Sequence, residues 1–138
     1  MSPLIENLLK VEATNHRKIQ EEIRRNLRWL GYHVKLEKKI WVGKKGKIDV
    51  FARKGSFSVG IEVDHSVIRK KSVEKLNALK PSLAIFLLKA RKINYKEIYS
   101  RARSIRVKAL LIHLAKKRVN RLGPYFFQNK FPIQIYCT

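Results

Sequence analysis

Lys47-Ile48-Asp49-Val50-Phe51-Ala52-Arg53 and Phe57-Ser58-Val59-Gly60-Ile61-Glu62-Val63-Asp64 are two short apolar runs joined only by Lys54-Gly55-Ser56. Their length and the glycine-containing link predict two adjacent strands in a hairpin. Both aspartates of the chain, Asp49 and Asp64, lie in them, with Glu62 two residues before the second. Side chains alternate along a strand, so Glu62 and Asp64 share one face, and Asp49 can lie beside them if the register is right. The pattern therefore predicts three carboxylates at one end of a sheet. Such crowding is costly unless a cation or a proton occupies the site. The oxygen donors suit Mg²⁺ or Mn²⁺, a hard cation that takes one or two carboxylates together with water and substrate phosphate. Read singly, each acid is instead solvated or paired with one of the many lysines.

Working outward, Ser2-Pro3 is a cap and first-turn pair for a helix over residues 3–13, and Thr14 can cap the next. Ile19, Ile23, Leu27 and Leu30 then recur at helical spacing until Gly31. Residues 32–41 alternate as a strand, and Gly43-Lys44-Lys45-Gly46 forms a basic turn into the Asp49 strand. Val73, Leu76 and Leu79 mark a helix over 70–79 that Pro81 ends. Leu83 to Leu88 is an uninterrupted apolar run, as in a strand covered on both faces. A helix between the third and fourth strands implies parallel pairing there, hence an α/β fold with a mixed sheet flanked by helices. Beyond it, 93–103 reads as helix and 107–114 as strand. Residues 116–121 are basic. Trp29 and Trp41 could stack on bases, but core packing is the reading chosen for each.

The 138 residues fit a single domain. Lys and Arg total 32 against 10 Asp and Glu, a formal charge of +22. That repulsion is relieved by a polyanion, so nucleic acid is the first partner to consider. A ribosomal protein or a membrane-surface binder would share the composition. No apolar run approaches the ~18 residues of a span, however, and no basic amphipathic segment exposes a Trp/Phe face. The N-terminus lacks a signal-peptide pattern, which predicts an intracellular, cytoplasmic protein. A lone Cys137 excludes an intramolecular disulfide and a cysteine-based zinc site, and the four scattered histidines, His16, His33, His65 and His113, offer no metal-ligand spacing.

The amphipathic helix, Gly31-Tyr32-His33-Val34, Ile48-Asp49-Val50 and Ile61-Glu62-Val63-Asp64 together resemble the PD-(D/E)XK, or restriction-endonuclease-like, nuclease superfamily, and archaeal Holliday junction resolvases in particular. The resemblance covers residues 16–88 and implies an αβββαβ core, with 3–13 as an N-terminal helix and 93–138 as a C-terminal extension. It implies a metal-dependent DNA endonuclease that is selective for DNA structure and acts as a homodimer. Metal-ligand roles would fall on Asp49 and Glu62 and on the main chain of Val63. An assisting helix glutamate would be Glu22 or Glu21, with Glu22 chosen for its place beside the apolar stripe.

One departure matters. The family pattern has a lysine two residues after the glutamate, and here that residue is Asp64. Asp64 is then a further metal ligand, as in proteins similar to very-short-patch repair enzymes. Alternatively the lysine has moved, to Lys47 or to Lys70 or Lys71, or catalysis has been lost and a nucleic-acid binder remains. Lys38, Lys39, Lys44, Lys45 and Lys47 on one side of the acids, and Arg69, Lys70 and Lys71 on the other, are the expected phosphate contacts. A second basic stretch runs from Lys89 to Lys108. The tail from Tyr125 to Tyr136 is apolar enough to pack on the core or on a second subunit.

Overall fold

The computed structural model describes residues 2–123 and the backbone of 135–137. Ser2 caps α1 (Pro3–Leu9), its Oγ accepting from the Ile5 amide at 3.3 Å. The helix ends at Leu9, four residues before the expected Ala13. Asn15 rather than Thr14 caps α2 (His16–Trp29), accepting from the Lys18 amide at 2.9 Å. Gly31, at φ +93°, then turns the chain into β1 (His33–Trp41).

The strands β2 (Lys45–Lys54) and β3 (Phe57–Asp64) form the expected hairpin, followed by α3 (Lys70–Leu79) and β4 (Leu83–Leu88), which is buried throughout. A shorter helix than expected, α4 (Tyr95–Ala102), leads to β5 (Ala109–His113). The basic run at 116–121 is not a simple charged segment. It enters β6 (Arg118–Gly123), in which Val119, Asn120, Leu122 and Gly123 are buried between exposed arginines. A further strand, β7 (Ile135–Cys137), pairs with β6. The remaining aromatic tail, 124–134, lies outside the described residues.

The protein is α/β. The seven strands of the described residues form one sheet in chain order, antiparallel except at β3–β4 and β4–β5, where α3 and α4 make the crossovers that parallel neighbours require. Helices α1 and α2 pack on one face, over Val50, Ala52, Val59, Ile61, Val63, Ile85 and Leu87. Helices α3 and α4 pack on the other, over Ile48, Ala84, Phe86, Leu88 and Leu111. Gly60 sets how closely α3 approaches: a Cβ there would come within 2.7 Å of the Leu76 and Leu79 methyl groups. Close docking of α3 on β3 brings its polar residues to the level of the acids.

Candidate active site

The register puts three acids, Glu37, Asp49 and Glu62, in a row across the sheet. The pairs Leu36↔Val50 and Lys38↔Ile48 bracket Glu37 and Asp49 on β1 and β2. The β2–β3 ladder stops at Val50↔Ile61, one residue short of Asp49 and Glu62. There the side chains take over the bonding. Glu62 Oε2 accepts from the Asp49 amide at 2.8 Å, and Asp49 Oδ2 accepts from the Val63 amide at 2.7 Å. Glu37, at φ 53°, breaks the pleat at the same level. Before the break Leu36 and Val34 face the α1/α2 layer; after it Ile40 faces α3 and α4.

Helix α2 closes one side of this row. His16 and Gln20 are four residues apart and so share a helix face. His16 Nε2 lies 3.3 Å from Asp49 Oδ1. Gln20 Nε2 donates to Glu37 Oε2 at 2.6 Å and to the Asp49 carbonyl at 2.9 Å, tying the two strands together at the break. Donor atoms of His16, Glu37 and Asp49 lie within 4.8 Å of one another, a set that could hold a metal ion. Helix α3 closes the other side. Lys75 Nζ contacts Glu62 Oε1 at 2.6 Å and donates to the Lys47 carbonyl at 2.8 Å.

Asp49 and Glu62 are buried. Burial, and then the negative charge of Asp49, push the Glu62 carboxyl up to about 7 despite the Lys75 contact. Burial likewise raises Asp49, opposed by the Val63 amide and by His16. Burial works against the charged form of both carboxyls, so the pair is a site electrostatically short of positive charge.

The third carboxylate does not join them. Asp64 is turned toward the start of α3, where it accepts from Arg69 Nε at 2.6 Å, the Arg69 amide at 3.2 Å and Ser72 Oγ at 2.8 Å. Nor does Glu22, whose Oε1 accepts from the Glu12 amide after α1 at 3.2 Å. Glu21 is engaged by Arg17 and Arg24 on its own helix. The α2 residue aimed at the acids is Gln20. Lys47 meets the site only through its carbonyl, its side chain being exposed, and Val63 meets it through its amide. Lys71 is exposed one turn before Lys75 on the same face of α3, beside exposed Arg69 and Lys70. Lys39, Lys44 and Lys45 are exposed on the β1–β2 hairpin, and the Lys38 ammonium sits 5.1 Å from the centre of the Phe51 ring.

Four residues of the site were not singled out by the sequence reading: His16, Gln20, Glu37 and Lys75. The first two leave a trace, polar residues four apart beside an apolar helical stripe. Glu37 could be placed only through register, and Lys75 only through the docking of α3. Trp29 and Trp41 are a correction. They are 86% and 67% exposed, so neither belongs to the core.

No family model, curated protein or solved structure matches this chain. Among the described residues, no helix is long and apolar enough to cross a membrane.

Proposed function

We propose that the protein is a Mg²⁺- or Mn²⁺-dependent nuclease of the restriction-endonuclease-like kind, hydrolysing phosphodiester bonds in DNA, with branched DNA as its substrate and a homodimer as its working form. The observation that carries this reading is the buried Asp49–Glu62 pair, held at the end of a β-ladder with Lys75 against it. The donor set that could hold one ion is His16, Glu37 and Asp49, two of the three being carboxylates, as a hard cation prefers; Glu62 adjoins it, its oxygens engaged by the Asp49 amide and by Lys75. When bound, the cation supplies Lewis-acid polarisation of a phosphoryl oxygen and a water of lowered pKa.

The chain's own residues have separable tasks. Gln20 fixes Glu37 and the Asp49 main chain, so the ligand row is set before substrate arrives. Lys75 is the lysine that the Glu62-Val63-Asp64 segment lacks, delivered from α3 instead of from β3. Its ammonium favours the extra negative charge that develops on a phosphoryl group, an effect strongest where water is excluded. Lys38, Lys39, Lys44 and Lys45 on one flank, with Lys70 and Lys71 on the other, bind the phosphates on either side.

One observation favours a second reading, a nuclease-like binder without cleavage. Lys75 already neutralises Glu62 directly, as a structural ion pair would. Cleavage of labelled four-way-junction, flap and linear duplex DNA in Mg²⁺, Mn²⁺ or EDTA, with binding followed in parallel, separates the two. Metal-dependent cutting that Asp49→Ala abolishes, with binding retained, is the result expected of the nuclease. Tight binding without cutting under any metal would establish the binder.

A further inference from the structure

Trp41 stands near the end of β1, directly opposite Lys45 on β2, and Lys39 stands opposite Lys47 two residues closer to the acid row. Residues directly opposite in an antiparallel pair project from the same face of the hairpin. Ile40, between Lys39 and Trp41, packs into the α3/α4 layer. Lys39, Trp41, Lys45 and Lys47 therefore share the other face, and all four are exposed. A tryptophan that is 67% exposed leaves a large apolar ring in water, here framed by three ammonium groups and no carboxylate until Glu37. The face is also continuous with the acid row. Trp41 lies four residues beyond Glu37, about 14 Å at the ~3.4 Å rise of an antiparallel strand.

We infer that Trp41 is a stacking platform for an unpaired nucleobase, and that Lys39, Lys45 and Lys47 hold the phosphates of the strand carrying it. A flat ring ringed by cations is complementary to a polyanion whose bases are themselves flat rings. Inside a duplex the base faces are covered by their neighbours, so the platform selects single-stranded, frayed or branched DNA over continuous duplex. The inference deepens the proposed nuclease reading by naming the residues that recognise its substrate, and it needs only the nucleic-acid-binding part of that reading. On the nuclease reading, cleavage is directed a fixed short distance from the point where pairing ends.

The experiment uses the full chain with Trp29→Phe, which leaves Trp41 as the sole tryptophan, in EDTA so that nothing is cut. Its emission is followed on adding oligo-dT, a four-way junction, a blunt duplex and, separately, phosphatidylserine vesicles, and affinities are compared with those of Trp41→Ala and Trp41→Phe. Quenching by oligo-dT and the junction is expected, with a ~5- to 150-fold loss of affinity in Trp41→Ala. Trp41→Phe should restore most of it, and duplex affinity should barely move. Oligonucleotide binding that neither quenches Trp41 nor weakens in Trp41→Ala would overturn the stacking inference and leave the nuclease reading standing. A response to vesicles alone, or to no nucleic acid at all, would overturn both.

Discussion

Asp64 and the Asp49–Glu62 pair are carboxylates of similar burial on the same hairpin, yet their surroundings differ in kind. Asp64 meets an arginine, a main-chain amide and a hydroxyl, so its charge and both oxygens are answered within the protein. Asp49 and Glu62 repel each other, bond to main-chain amides of each other's strands, and share one lysine and one histidine. Burial alone does not make an acid reactive. A buried acid whose charge is answered is a structural tie, whereas a buried pair left short of positive charge is the candidate for function.

The largest expected effect comes from removing a member of the pair. Asp49→Asn should lower metal-dependent cleavage to the EDTA background while leaving binding intact; cleavage that survived would move the metal site elsewhere, Asp64 included. Next is Lys75→Met, which should reduce cleavage roughly 10²- to 10³-fold, the usual cost of losing one charge-stabilising group. An undiminished rate would assign Lys75 to structure alone.

The pair should also destabilise the metal-free fold at neutral pH. The Glu62 pKa is raised from the 4.5 of a free carboxyl to about 7. The native state thus holds a proton that the unfolded chain has released. Stability is fully present below pH 4.5 and falls as pH rises through 7, by on the order of 3 kcal/mol. Denaturant titrations in EDTA across that range should show the fall, and Glu62→Gln should flatten it. A slope unchanged in the variant would mean that another group titrates. The smallest effect should come from Asp64→Ala. The guanidinium it releases is half exposed and rehydrates, so the cost should be about 2 kcal/mol of stability. Its metal dependence should equal that of the wild type; a lost metal response would erase the contrast between the two sites.

The fold was legible where periodicity is clean. The stripe of α2, the all-apolar β4 and the hairpin around Lys54-Gly55-Ser56 all read directly, and the crossover rule then fixes parallel pairing at β3–β4. The C-terminal part of the sheet was not legible. In β6 only Val119 and Leu122 among the apolar residues alternate with arginines, and charge masks the strand. The site divides in the same way. Asp49 and Glu62 announce themselves as acids inside apolar runs, whereas Glu37 sits in a strand full of charges and matters only because it falls level with Asp49. The direction of Asp64 was unreadable because Arg69 and Ser72 reach it from the following helix. Both tryptophans were misassigned because size favours burial in general, and nothing local says that the end of β1 runs beyond the helices that would cover it.

Each strand of the sheet lies beside the one that precedes it in the chain, and none is inserted between two earlier ones. A polypeptide synthesised at about 5–20 residues per second can therefore add its strands in order, without reopening a pairing already made. By that sequence of events the acid row is complete once β3 has emerged, while Lys75 follows eleven residues after Asp64. During synthesis, then, the acids meet one another before they meet their lysine. On the metal-binding reading proposed above, a divalent ion present at that moment has first access to the carboxylates, before Lys75 arrives.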